Sequence, residues 1–193
     1  MLFTIISSLS FTPFLTSFPS LCFAELTDYQ KSVVETFVPA GTHANLRSAY
    51  EAAAAGKATT AQKNVIRTSE MIHEDLKLNA CVRPALGQDM SLDAAIGEIV
   101  AAGKGEALMA DVKALFTADE WSSGVPAEAP FSEQVVAAAV LLAGGARPTG
   151  QDAEADLRAL KRRLTLNYYL SFATRGKCVA SPQIKKLLGK EGK

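Results

Sequence analysis

Signals that start and stop helices recur at short intervals along this chain, and they constrain its fold more than any other feature. Thr27 and Gln30 have the spacing of a capping box, in which each side chain bonds the other residue's backbone amide, and Thr59 and Gln62 repeat it. Ser91 precedes a further apolar segment, and alanine, the strongest helix former, is frequent throughout. The predicted helices span 27–38, 44–55, 59–78, 92–103, 105–116, 131–146, 152–175 and a short stretch from 181. The sequence therefore predicts an all-α fold.

The length and apolar content of the chain suit one compact bundle. Its 193 residues, 48% of them apolar, are enough for one domain with its own core. Segment 131–146 is apolar on nearly every side, which is typical of a central helix, and the longest predicted helix, 152–175, has two apolar faces. We predict a single up-down helical bundle over residues 25–193, with four main helices and several short ones. It ends in a basic tail at about 176–193.

The first 24 residues carry no charged side chain and are rich in Phe, Leu, Ile and Ser. They end in Cys-Phe-Ala at 22–24, which resembles the small-x-Ala site that signal peptidases cut. Pro13 and Pro19 interrupt the segment, and its apolar runs are far shorter than the roughly 20 residues that span a bilayer. We therefore expect residues 1–24 to direct export; a disordered or membrane-resting tail is the alternative. Because no Lys or Arg lies near Met1, the segment also fits the second half of a bipartite targeting sequence.

Export would leave two cysteines, Cys81 and Cys178, in the mature chain. In an oxidising compartment such a pair predicts a disulfide, which would restrict the unfolded chain by about 4 to 5 kcal/mol in the entropy model. The alternative is that both thiols stay reduced and are buried as small apolar groups. A metal site is disfavoured, because His43 and His73 are the only histidines and no Cys-x-x-Cys or His-x-x-x-His spacing occurs. We predict no cofactor.

Charge is distributed unevenly, although the formal net charge is zero. Residues 25–156 contain 10 basic and 19 acidic side chains, whereas residues 157–193 contain 10 basic and one acidic. The basic end has three possible targets: the acidic part of this chain, an acidic partner protein, or anionic lipid. We favour a partner protein. We expect no nucleic-acid partner, because an exported protein would seldom meet one and no aromatic residues interleave with the basic segment to stack on bases. The basic residues expected to dock there are Arg175, Lys177, Lys185, Lys186 and Lys190.

The predicted helix 59–78 holds a group of residues that suggests acid–base chemistry. We expect Val65, Ile72 and Leu76 to face the core, which leaves the His-Glu-Asp run at 73–75 on other faces. Neighbouring residues on a helix point in different directions, so we expect a surface histidine there rather than a catalytic base. No Gly-x-Ser-x-Gly elbow or glycine-rich phosphate loop occurs. We predict that the protein is not an enzyme.

A cysteine, an arginine and a proline follow one another closely in LNACVRPALG, residues 78–87. We expect the preceding helix to end near Leu78. Pro84 would then open a new short helix, where its missing amide proton costs no hydrogen bond. This stretch is therefore expected to form a corner between two helices.

The residues around this corner resemble those of the PsbQ-like extrinsic subunits of photosystem II in algal plastids. The shared features are, in order, a long helix, Cys81, Val82-Arg83, Leu86-Gly87, and then Leu92 and Ile96 on the next helix. The resemblance covers about residues 67–100 and does not extend beyond Trp121. It implies a lumenal four-helix-type bundle on the inner face of the photosystem, which helps to retain ions and shields the oxygen-evolving cluster without ligating manganese. Arg83 and the basic segment 177–193 would contact the complex.

Two other functions stay open. In an accessory subunit of photosystem I and its antenna, the face with Tyr168, Tyr169 and Phe172 would pack against protein or pigment. An exported helical carrier would enclose an apolar ligand between segments 135–142 and 157–172. The expected location is the thylakoid lumen, peripheral to the membrane, or another exported compartment.

Overall fold

The computed structural model describes residues 25–37, 40–87, 90–145, 148 and 152–190. Within these ranges every regular element is an α-helix, which confirms the predicted all-α fold. The helices are α1 (Asp28–Glu35), α2 (Ala40–Ala54), α3 (Thr60–Leu86), α4 (Leu92–Ala101), α5 (Gly105–Lys113), α6 (Ala118–Gly124), α7 (Phe131–Ala143), α8 (Ala153–Ala173) and α9 (Pro182–Leu187). The expected export segment, residues 1–24, lies outside the described residues. None of the described helices combines the length and the apolar character that a membrane crossing requires.

Side-chain caps begin the helices close to the predicted positions. Thr27 and Thr59 form complete capping boxes at α1 and α3, each with the glutamine three residues further on. Thr117 forms a third box at α6. Ser91 and Ser181 cap α4 and α9, each by accepting a hydrogen bond from the backbone amide three residues on. Each such cap is typically worth about 1 kcal/mol, so these local signals help to fix where the helices begin.

Helix α8 lies between two of the three apolar clusters and belongs to both. Its C-terminal half packs with α4, α5 and α7 in the first cluster, where Ile99, Leu142 and Tyr169 are buried. Its N-terminal half packs with α3 and α9 in the second cluster, which contains Met71 and Leu164. The third cluster joins α1, α2 and α3 and is formed by Leu26, Val33, Val34, Leu46 and Tyr50. Helix α8 thus joins the two larger clusters.

Helix α3 continues past the point where we predicted its end. The prediction that it stops near Leu78 and that Pro84 opens a new helix is wrong, because α3 runs to Leu86 with Pro84 inside it. Pro84 lies in the last turn, so its ring interrupts little of the helix. Val82 is buried in the second cluster, and Gly87, with φ of 81°, then ends the helix in a conformation that favours glycine. Burial of Val82 outweighs the local signal to stop.

The buried face of α3 also differs from the predicted apolar stripe. Val65 and Leu76 are 45% and 49% exposed, so the expectation that they face the core is wrong, while Ile72 is half-buried. The buried face carries Met71 and, beside it, the polar run at 73–75. These polar side chains can be buried because the C-cap of α1, helix α8 and the N-cap of α9 supply hydrogen-bond partners for them.

Candidate functional site

Cys81 of α3 and Cys178, which follows α8, form a disulfide between residues 97 positions apart. Their Sγ atoms are 2.06 Å apart and their Cα atoms 5.9 Å apart. The predicted bond is therefore confirmed, and the alternative of two reduced cysteines is not the state in this structure. The disulfide fixes the beginning of residues 176–190, the C-terminal segment, to α3.

The C-terminal segment is packed against the bundle beyond the disulfide as well. Ser181 Oγ donates a hydrogen bond to Glu74 Oε2 of α3 at 2.7 Å, and Ile184 of α9 is buried in the second cluster. At the far end, Lys190 forms an ion pair with Asp111 of α5. The described part of the predicted basic tail is therefore an integral part of the fold.

Tyr169, one of the residues expected to dock, lies beneath the end of the C-terminal segment. Its hydroxyl donates a hydrogen bond to Asp111, and Lys190 Nζ lies 3.2 Å from the hydroxyl oxygen. Burial, together with the Asp111 carboxylate, raises the pKa of Tyr169, so the phenol stays protonated and acts as a donor. Because Tyr169 is 1% exposed, a partner cannot reach it in this structure, and we remove it from the expected docking residues.

Ion pairs connect the basic end of the chain to its acidic part. Five of them join described residues: Arg158–Glu154, Arg162–Glu120, Arg163–Asp75, Arg175–Glu98 and Lys190–Asp111. The Arg175 guanidinium bonds Glu98 and holds the pKa of that carboxyl below its usual range. Self-neutralisation, one of the three alternatives for the basic end, thus accounts for two expected docking residues, Arg175 and Lys190.

An open cleft of about 700 Å³ lies beside the disulfide, between α8 and the C-terminal segment. We call it the lysine cleft. Its lining includes Tyr168, Phe172, Val179, Lys104, Lys185 and Lys190, and Cys178 of the disulfide also belongs to it. None of the described residues that line it carries a carboxylate. The cleft therefore presents positive charge next to apolar and aromatic surface.

The aromatic rings and lysines of the cleft are in contact. Tyr168 and Phe172 meet edge to face, with ring centroids 5.3 Å apart and planes at 90°. Lys104 Nζ lies 5.5 Å from the Phe172 centroid, and Lys190 Nζ lies 5.1 Å from the Tyr168 centroid. A cation within about 6 Å of a ring is attracted to its face, so these contacts favour ammonium groups close to the rings.

The lysine cleft brings together four of the residues predicted to dock. They are Tyr168, Phe172, Lys185 and Lys190. Sequence reasoning missed Lys104 and Val179. Lys104 lies in the Gly-Lys-Gly break between α4 and α5, and Val179 follows a disulfide cysteine and is 80% exposed. A valine next to a cysteine gives no sequence signal of exposure, and only the fold places Lys104 near α8.

Three further residues that were predicted to dock lie outside the lining of the cleft. Arg83 is exposed, and its Nε donates a hydrogen bond to Asn79 Oδ1 at 3.1 Å. Lys177 and Lys186 are exposed, as is Lys185 of the cleft. The structure shows no ion pair between any of these three lysines and another described residue. We call Arg83, Lys177, Lys185 and Lys186 the basic surface.

The polar run at 73–75 is buried, and the prediction of a surface histidine is wrong. His73 is 7% exposed, and its Nδ1 lies 2.6 Å from Oγ1 of Thr36, the C-cap residue of α1. Asp75 accepts a hydrogen bond from Arg163 of α8 at 2.8 Å. With the Ser181 contact to the carboxylate of Glu74, the run connects three helices to α3. Burial lowers the pKa of His73, which favours the neutral ring.

In the parts of the chain that the structure describes, no three His, Cys, Asp or Glu side chains are placed to hold a metal ion. Comparison with family models, with curated proteins and with solved structures found no match to this chain.

Proposed function

We propose that this protein is an exported, non-catalytic subunit that docks on the lumenal side of a photosynthetic membrane complex and stabilises it, as an extrinsic subunit of photosystem II. The basic surface is the observation that carries the proposal. Lys177, Lys185 and Lys186 are exposed and lack an ion pair with any described residue. The half-buried Glu70 carboxylate of α3 also attracts Lys186, so Lys177 and Lys185 are the charges most available. Exposed surface charges of one sign are suited to attract and orient an oppositely charged partner.

The basic surface is held on an ordered part of the fold. The disulfide fixes the segment next to Lys177, and the buried side chains of Ile184 and Leu187 hold the helix that carries Lys185 and Lys186. A surface that is already ordered loses less conformational entropy when it binds. This supports docking through a preformed surface rather than through a flexible tail.

The compartment and the complex are supported by separate observations. Disulfides persist in oxidising compartments, so the Cys81–Cys178 bond supports an exported protein. The resemblance over residues 67–100 supports the thylakoid lumen and photosystem II in particular. The apolar charge-free segment 1–24 is consistent with export to such a compartment.

The proposal is tested by binding the chain that begins at Glu25 to photosystem II membranes from which the extrinsic subunits have been removed. Co-sedimentation should show saturable binding at low salt. Release is expected by about 1 M NaCl, where the screening length falls to about 3 Å. A chain that stays in the supernatant at low salt would contradict the proposal.

Charge reversal tests whether the basic surface is the part that docks. The triple variant Lys177→Glu, Lys185→Glu and Lys186→Glu should bind about 10- to 100-fold more weakly, since each exposed pair is worth up to about 1 kcal/mol. The matched control reverses the exposed Lys57, Lys63 and Arg67 and has the same net charge. We expect the control to keep most of the affinity. Equal losses in the two triple variants would mean that net charge matters and that this surface does not.

The two alternative functions are a subunit of photosystem I with its antenna and a carrier of an apolar ligand. Docking on photosystem I and its antenna predicts the same salt dependence, and the same sedimentation assay with photosystem I membranes distinguishes it. The apolar carrier is not favoured. Val135 and Leu142 of α7 and Tyr169 of α8 are buried in one cluster. The protein's own side chains therefore occupy the space between α7 and α8 where an apolar ligand would lie.

A further inference from the structure

The lysine cleft has charged groups that are available for a ligand. Lys104 and Lys185 are exposed and form no ion pair with a residue that the structure describes. Lys190, in contrast, is paired with Asp111. Two of the three ammonium groups of the cleft can therefore receive an anion without breaking an existing pair.

The cleft also has apolar surface that is available. Val179 is 80% exposed, and the rings of Tyr168 and Phe172 are only half-buried. Large apolar side chains that are exposed together in a concave site commonly contact a ligand or a partner. Covering them would remove apolar area from water, which favours binding.

A ligand that uses both features must carry at least two anionic groups and an apolar group within the span of one cleft. A short acidic peptide with one aromatic or aliphatic side chain has this composition, and its side chains recur about every 3.4 Å along an extended backbone. We propose that the lysine cleft binds an acidic segment of the partner protein, with one apolar side chain packed against Tyr168, Phe172 and Val179. This inference rests on the proposed docking function and specifies the chemistry of the partner.

The shape of the cleft favours a peptide over a lipid surface. Its volume of about 700 Å³ is within the range of sites that enclose compact ligands. A bilayer presents a broad array of anionic head groups. These would contact the exposed lysines but would make no specific contact with the half-buried rings of Tyr168 and Phe172. Anionic vesicles are therefore the contrary arm of the test.

The test is an NMR titration of the ¹⁵N-labelled chain that begins at Glu25 with the capped peptide EDFDE. We expect saturable amide shifts confined to the lining of the cleft and its immediate neighbours, Lys104 and Val179 among them. The control peptide EDADE, which lacks the ring, should bind about 10-fold more weakly, and KRFRK should produce no saturable shifts. Equal binding of EDFDE and EDADE, or shifts scattered over the surface, would overturn the inference.

Two variants assign the binding to the cleft. Lys104→Glu with Lys185→Glu should weaken EDFDE binding at least about 10-fold. The matched control, Lys57→Glu with Lys63→Glu, should leave it unchanged. The substituted lysines of both variants are exposed, so we expect both variants to fold. Unchanged amide shifts away from the substitutions verify that the fold is retained. Vesicles of anionic lipid that displace EDFDE and bind with the same dependence on Lys104 and Lys185 would contradict a peptide ligand.

The peptide experiment and the membrane experiment can fail separately. If the chain docks on photosystem membranes but EDFDE does not bind the cleft, the inference is wrong and the docking function stands. If EDFDE binds the cleft but the chain binds no photosynthetic complex, the docking function is wrong and the cleft is a peptide site of a different assembly.

Discussion

Removal of the Cys81–Cys178 disulfide should destabilise the protein by about 4 to 5 kcal/mol. The bond closes a loop of 97 residues, for which the chain-entropy model gives about 4.7 kcal/mol at 25 °C. This is a large part of the 5 to 15 kcal/mol that is typical of a whole domain. The measurement is urea unfolding, followed by circular dichroism, of the chain that begins at Glu25 and of its Cys81→Ala and Cys178→Ala double variant.

The two single variants are the control for this prediction. Each lacks the same bond, so each should lose about as much stability as the double variant, within about 1 kcal/mol, and the effects should not add. Cys178 is buried, and its truncation adds a small packing loss of its own. A double variant that loses less than about 1 kcal/mol would refute the reasoning, as would free thiols in the unfolded, unreduced protein.

Two further predictions concern the polar side chains that are buried on α3. Asp75→Ala should lower the free energy of unfolding by about 2 kcal/mol, because it leaves the hydrogen-bonding groups of Arg163 and Asn167 without their acceptor. In the same urea assay, substitution of the exposed Glu128 by Ala should change the free energy of unfolding by less than about 0.5 kcal/mol. Equal effects of the two substitutions would contradict the assigned contacts. Burial lowers the pKa of His73 from 6.5, so the unfolded chain binds a proton at a higher pH than the folded chain does. Between about pH 7.5 and about pH 5.5 the wild type should therefore lose more stability than His73→Gln, and parallel pH profiles would show that His73 does not contribute.

The helix starts could be predicted from sequence because they depend on neighbouring residues. The side chain and backbone partners of Thr27 and Thr59 lie only three residues away. The cysteine pairing was also predictable, because only two cysteines follow the expected export segment. Pro84 was misread because its local preference to begin a helix is weaker than the burial of Val82 in the second cluster.

The buried polar contacts could not be predicted, because their partners are distant in sequence. Ser181 is 107 residues from Glu74, and Arg163 is 88 residues from Asp75. Without these partners, the burial of Glu74 and Asp75 would be too costly, so the apolar residues of α3 were the natural choice for its core face. The same limit applies to the cleft, since Lys104 joins Phe172 only through the fold.

The most direct test of the proposed function is mass spectrometry of gently solubilised membrane complexes from the cells that make this protein. We predict that the chain is recovered in stoichiometric amount with photosystem II, that it begins near Glu25, and that Cys81 and Cys178 are bonded. Recovery of the chain free of any membrane complex, with residues 1–24 still attached, would contradict an exported docking subunit.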